Sequence, residues 1–85
     1  MKAYTYIITD PEGLHARPAG LLVKEANRFQ AKVTVEIAGK EADAKRIFAV
    51  MGLGVKSGQE IVLRVDGEDE EEALQSISEF LEANL

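Results

Sequence analysis

The chain has 85 residues, 46% hydrophobic and 29% charged, a composition typical of one small globular domain and not of a disordered segment. Its net charge of −5 argues against nucleic acid as a partner, because phosphate backbones bind to basic surfaces. Without cysteine it has no disulfide or thiolate metal site, and no apolar run suits a membrane span or signal peptide. We therefore expect a soluble, cytoplasmic, single-domain protein over residues 1–85, with no direct membrane insertion.

The first predicted element is a strand from Ala3 to Ile8, because alternate residues there are apolar. The Asp-Pro-Glu-Gly sequence that follows is typical of a turn and leads to His15, the only histidine. Glu12 in this turn is a candidate general base for His15. An acidic residue in a turn is more often simply exposed to solvent, and we expect this for Glu12.

A helix is predicted from Ala16 to about Arg28, because Leu22, Val23 and Ala26 recur at helical spacing. Proline is favoured in a helix's first turn, so Pro18 makes His15 the N-cap. The imidazole would then lie near free N–H groups, the positive helix end and Arg17, which together suit a dianionic phosphoryl group. The helix end also favours the neutral ring, whose lone pair can attack phosphorus.

A lone histidine at a helix start is more often a plain cap or surface residue, and only the adjacent Arg17 and Pro18 favour the phosphoryl site. The helix's apolar side, with Ala19, should face the core. Its other side carries Gly20 and Leu21, which are unusual on a solvated face. They suit a partner's docking surface.

Two strands are expected next, Lys32–Ile37 with its valines facing inward, and a short polar strand Lys40–Asp43. Ala38 and Gly39 connect them, and Ala38 would be strained if the turn requires positive φ. The apolar segment from Ile47 to Gly54 predicts one or two turns of helix, with its core side formed by Ile47, Val50 and Leu53. Phe48 and Met51 would then point outward and suit a surface that fits several partners.

A fourth strand is predicted over Glu60–Val65 and a final helix over about Glu70–Asn84, opened by Asp69 and Glu72 as a capping box. The order β-α-β-β-α-β-α, with one apolar face per element, indicates an α+β fold in which helices cover one face of an antiparallel sheet. The acidic residues of 65–85 should mainly serve this helix. Several basic residues could instead surround His15 if the segment 45–54 packs beside it; these are Arg17, Lys24, Arg28, Lys45 and Arg46.

Other chemistries have little support. A single histidine beside scattered carboxylates does not make a metal site, and the sequence has no P-loop or dinucleotide fingerprint. We expect neither metal nor cofactor.

The heptapeptide Gly13–Ala19, Gly-Leu-His-Ala-Arg-Pro-Ala, resembles the active-site signature of the HPr family, the histidine-containing phosphocarriers of the bacterial phosphotransferase system. The resemblance extends along the chain through Lys-Glu-Ala on the first helix, Met-Gly-Leu-Gly near residue 52 and Gly-Glu-Asp-Glu before the last helix. It implies an open-faced β-sandwich, with strand order 1-4-2-3 and three helices on one face.

The resemblance also implies a carrier, not an enzyme. His15 would accept a phosphoryl group on Nδ1 from phospho-enzyme I, itself charged by phosphoenolpyruvate, and donate it to enzyme IIA of a sugar permease. Arg17 and the amides of Ala16 and Arg17 would hold the phosphate, and we expect a monomer. The partner-docking residues would be Gly20, Leu21, Lys24, Arg46, Ile47, Phe48 and Met51.

Two alternatives stay open at this point. One is a regulatory binding module that transfers no phosphate, and the other is a nitrogen-related or otherwise specialised relay. The chain also departs from kinase-regulated members of the family, which carry a phosphorylated serine where this chain has Arg46.

Overall fold

The strands form because apolar residues alternate along them, which gives each strand one buried face. In the computed structural model, which describes residues 1–85, seven elements follow the predicted order. They are β1 (Lys2–Ile7), α1 (Ala16–Ala26), β2 (Lys32–Ile37), β3 (Lys40–Asp43), α2 (Ile47–Gly52), β4 (Glu60–Asp66) and α3 (Glu70–Asn84). The α+β class and element order are confirmed.

The four strands make one antiparallel sheet in the order β1-β4-β2-β3, as the family resemblance implied. Val35 lies opposite Leu63 of β4 on one side and Ala42 of β3 on the other. All three side chains are buried, so this register brings the apolar face of the sheet together.

The helices cover that apolar face and leave the other face of the sheet open. α1 contributes Leu22 to the core and α3 contributes Ile77 and Leu81, all with no exposed surface. The core contains no buried polar or charged residue. None of the three helices combines the length and apolar character that crossing a lipid bilayer requires.

α1 ends at Ala26, about two residues before the predicted end. Asn27 ends it, since the Asn27 side chain donates to the Val23 carbonyl at 2.9 Å and to the Lys45 carbonyl at 3.3 Å. The β2–β3 turn is as expected, with Ala38 at φ 48°, in the left-handed region that disfavours a side chain.

The predicted capping box at the start of α3 is wrong. Asp69 is the N-cap residue but makes no capping hydrogen bond within the helix. Its carboxylate instead accepts the N–H groups of Gln30 and Ala31, at 2.9 and 2.8 Å. The Gly67 N–H donates to Glu70 at 3.1 Å, and this bond lowers the pKa of the Glu70 carboxyl. Contacts with the segment before β2 thus replace the local cap.

Candidate functional site

His15 occupies the N-cap of α1, as predicted, with extended backbone angles (φ −83°, ψ −176°) and no capping hydrogen bond from its side chain. The imidazole is therefore not committed to its own helix. About a third of the side chain is exposed (34%), so the ring is open to a partner from one side.

The loop before His15 is fixed against the segment that leads into β4. The Leu14 N–H donates to the Val55 carbonyl at 3.0 Å. Gly13 has φ +71°, and a Cβ atom on it would lie 2.4 Å from the Val55 oxygen. Only glycine fits there, because a side chain meets both the left-handed conformation and a backbone clash.

An open groove of about 380 Å³ lies beside His15. The groove is polar, with Leu21 as its single hydrophobic residue besides Pro18, and it is formed by the loop before α1, the first turns of α1 and the end of α3. Its lining residues are Asp10, Glu12, His15, Arg17, Pro18, Leu21 and Asn84.

Two carboxylates face one nitrogen of the imidazole. His15 Nε2 lies 3.6 Å from Asp10 Oδ2 and 3.7 Å from Glu12 Oε2. The Glu12 side chain is 76% exposed, as expected of a turn residue, but it is also close to the ring. The Asp10 side chain is half-buried, with 24% of its surface exposed. The sequence pattern predicted a turn at Asp10 but no role for it at the site.

These three side chains also bring potential metal-ligand atoms within 4.8 Å of one another. The expectation that the carboxylates would be scattered is therefore wrong for this pair. The cluster offers three ligands, one fewer than a structural zinc site uses.

Two backbone N–H groups at the start of α1 have no acceptor within the chain, those of Ala16 and Arg17. Pro18 has no N–H, and the Ala19 N–H donates to the His15 carbonyl at 3.0 Å. The free donors and the positive end of the helix dipole favour an anion at this point, next to the imidazole.

Arg17 is the only basic residue in the groove. The Lys45 ammonium donates to the Phe29 carbonyl at 2.7 Å, which ties it to the turn that follows α1. Lys24 and Arg46 are exposed outside the groove, and Arg46 is the N-cap of α2 without a capping bond. The cations therefore do not surround His15 as a cluster.

Large apolar side chains are exposed on α1 and α2. Phe48 is 85% exposed, Leu21 44% and Met51 39%, as the sequence pattern predicted for Phe48 and Met51. The two helices meet where Gly20 faces Ile47, because a Cβ atom on Gly20 would lie 3.6 Å from Ile47 Cδ1. A methyl group at this distance would make an ordinary van der Waals contact, so the position has room for a small side chain.

Comparison with known proteins matches residues 3–83 to the family model described as the PTS HPr component phosphorylation site. The phosphocarrier protein HPr of Mycoplasma capricolum is 42% identical over 81 residues, covering 95% of this chain and 91% of that protein. A crystal structure of HPr from Thermoanaerobacter tengcongensis superposes with a TM-score of 0.93 at 41% identity, covering 98% of this chain and 93% of that one. An HPr dimer from the same organism gives a TM-score of 0.78 at 41% identity, with 98% and 95% covered.

Proposed function

The chain belongs to the HPr family of phosphotransferase-system phosphocarriers, which are not catalytic enzymes, and we propose that His15 is its phosphoryl acceptor. His15 takes the phosphoryl group from phospho-enzyme I, which phosphoenolpyruvate has charged, and donates it to enzyme IIA of a sugar permease. Residues 1–85 carry out this phosphoryl transfer as one domain in the cytoplasm.

One observation carries the proposal: the only histidine lies uncommitted at a helix N-terminus beside two free N–H groups and an arginine. Imidazole is a good nucleophile toward phosphorus when it is neutral. The N–H groups of Ala16 and Arg17 would bind the oxygens of the transferred group. The Arg17 guanidinium would stabilise the charge that those oxygens carry during transfer.

Partners would bind through the docking surface, by which we mean the exposed side chains of α1 and of the adjacent α2. Its apolar part is Leu21, Phe48 and Met51, whose exposure has no structural use within the chain. Gly20 and Ile47 belong to it as well, and they lie where α1 meets α2. Lys24 and Arg46 add exposed positive charge for acidic partners.

Intact-mass measurement tests the proposal directly. The protein is incubated with phosphoenolpyruvate and enzyme I, and one phosphoryl group should be added. The adduct should be lost in acid and survive in base, because a phosphorus–nitrogen bond to imidazole hydrolyses readily in acid. His15→Ala should stay unmodified, and phosphorylation that persists in this variant contradicts the proposal.

A second incubation with an enzyme IIA should return the phosphorylated protein to its original mass. Retention of the phosphoryl group with every sugar-permease IIA would contradict the assignment to sugar transport.

We also propose that the carrier acts as a monomer, although one relative forms an HPr dimer. Sedimentation at the concentrations used for transfer should give the mass of one 9.3 kDa chain.

A further inference from the structure

The proposed function leaves the two carboxylates of the groove without a role. Acidic groups next to a phosphoryl acceptor are unfavourable in themselves, because they repel the negatively charged group that must arrive. Asp10 Oδ2 and Glu12 Oε2 nevertheless lie 3.6 and 3.7 Å from His15 Nε2. Their placement at this ring nitrogen suggests that they act on the imidazole and not on the phosphate.

Asp10 is held in this position from two directions. Its Oδ1 accepts the Glu12 N–H at 2.9 Å, which leaves Oδ2 to face the ring. Its own N–H donates to the Leu85 carbonyl at 2.9 Å, next to a similar bond from Thr9. Glu12 has its backbone fixed by the same turn, but its side chain is mostly exposed (76%). The loop thus presents to Nε2 one hydrogen-bonded carboxylate, that of Asp10, and one exposed carboxylate, that of Glu12.

The chemistry of transfer gives these charges a use. When Nδ1 attacks phosphorus, its lone pair forms the new P–N bond, and the electron pair of the breaking bond leaves with the donor. The proton on Nε2 stays in place, so the ring acquires a positive charge as the bond forms. A carboxylate near Nε2 offsets that charge, and it also favours the tautomer that leaves Nδ1 unprotonated.

We propose that Asp10 and Glu12 are positioning residues for phosphoryl transfer, with Asp10 the stronger of the two. They keep the proton of His15 on Nε2, present Nδ1 as the nucleophile and stabilise the positively charged phosphohistidine ring. Arg17, the only cation of the groove, is then left to bind the phosphoryl oxygens. This inference rests on the proposed function, since it assigns roles at the same site.

The test compares Asp10→Asn, Glu12→Gln and the double variant with the wild type. Asparagine can still accept the Glu12 N–H, so the loop is kept while the charge is removed. Glu79→Gln is the control, because Glu79 is an exposed acid on α3 with no ion pair or side-chain hydrogen bond. It makes the same change in net charge as either single variant.

Two measurements are needed. Nitrogen-15 NMR of the neutral imidazole gives the ratio of the Nε2–H to the Nδ1–H tautomer, and this ratio should fall about threefold in the double variant. Steady-state transfer from phospho-enzyme I gives kcat and KM for the carrier as substrate. Removal of the Asp10 charge should lower kcat about fivefold with little change in KM, and Glu12→Gln should have a smaller effect.

The proposal is overturned if the double variant matches Glu79→Gln in both tautomer ratio and kcat. It is also overturned if the tautomer ratio shifts while kcat stays the same, because the carboxylates would then orient the ring without aiding transfer. A rise in KM alone overturns it too, because the carboxylates would then serve docking. If the wild type accepts no phosphoryl group, the proposed function fails instead. The tautomer ratio, which needs no phosphoryl donor, then still decides whether these residues position the ring.

Discussion

Asp69 and Ala31 are joined by a hydrogen bond across the fold, from the Ala31 N–H to Asp69 Oδ1 at 2.8 Å. Ala31 is buried, so this carboxylate satisfies a donor that solvent scarcely reaches. The neighbouring Gln30 N–H donates to the other carboxylate oxygen at 2.9 Å. Asp69, the N-cap residue of α3, therefore anchors the segment that enters β2.

These bonds make the stability of the fold pH-dependent. The Gln30 N–H, with help from the Ala31 N–H, lowers the pKa of Asp69 below its usual range. The stabilisation is fully present above the unfolded value of about 3.9 and is lost as pH falls through the lower folded value. Asp69→Asn should lower the urea midpoint at pH 7, and its difference from wild type should shrink below pH 4.

Glu68→Gln is the matched control for this series, because Glu68 is an exposed neighbour that makes no ion pair. Its urea midpoint should run parallel to that of the wild type between pH 7 and pH 2. A deficit in Asp69→Asn that stays constant over the same range would show that the carboxylate charge is irrelevant.

Gly13→Ala should destabilise the protein and displace the loop before His15. The substitution combines a left-handed backbone with a Cβ atom 2.4 Å from the Val55 oxygen, and together these cost about 2–4 kcal/mol. Gly54→Ala isolates the first effect, because Gly54 has φ +63° but open space around it, and should cost about 1–2 kcal/mol. Equal losses in urea unfolding would mean that the Val55 contact has no energetic consequence.

Phe48→Ala should leave the fold nearly as stable as before, with a change below about 1 kcal/mol, because the ring is 85% exposed. It should weaken binding of enzyme I or enzyme IIA in a calorimetric titration. Val50→Ala is the comparison within the same helix, since Val50 is fully buried and should lose about 2 kcal/mol. A loss of about 3 kcal/mol or more in Phe48→Ala would indicate a core residue.

Arg46 should make the carrier insensitive to a metabolite-activated HPr kinase. Arginine has no hydroxyl to phosphorylate, and here it caps α2 without a side-chain hydrogen bond. Incubation with kinase and ATP should leave the wild-type mass unchanged, whereas Arg46→Ser supplies a hydroxyl at that position. The serine should also stabilise the fold by about 0.5–1 kcal/mol as a cap. Labelling of Ser57, Ser76 or Ser78 in the wild type would refute this prediction.

The positive charge of Arg46 has its own expected effect. It is exposed on the docking surface and can steer acidic partners, an interaction that salt screens. Arg46→Ser should therefore weaken binding to enzyme I mainly at low ionic strength. Equal affinities of the two proteins at low and high salt would exclude this role.

The features that could be predicted from the sequence are those set by residues close together in the chain. The alternation in Lys32–Ile37 and the proline at position 18 depend on neighbouring residues only, so they predicted β2 and the N-cap position of His15 correctly. The outward direction of Phe48 followed from helical spacing in the same way.

Choices between distant partners could not be predicted. The Asp69 carboxylate can cap its own helix or bind the N–H groups of Gln30 and Ala31, and only tertiary packing decides between them. Asp10 and Asn84 lie in the groove because the end of α3 packs against the loop after β1. No periodic pattern in the sequence reports that contact.

The pairing of β1 with β4 has a consequence for how fast the site forms. Ala3 lies opposite Arg64, so most of the chain must be closed into a loop before the first strand is in place. Such non-local pairing is slow compared with the formation of α1 or α3. Since the loop that carries Asp10 and Gly13 leaves from β1, competence for phosphorylation should appear in refolding together with the slow, sheet-closing phase and not with the early rise of helical signal.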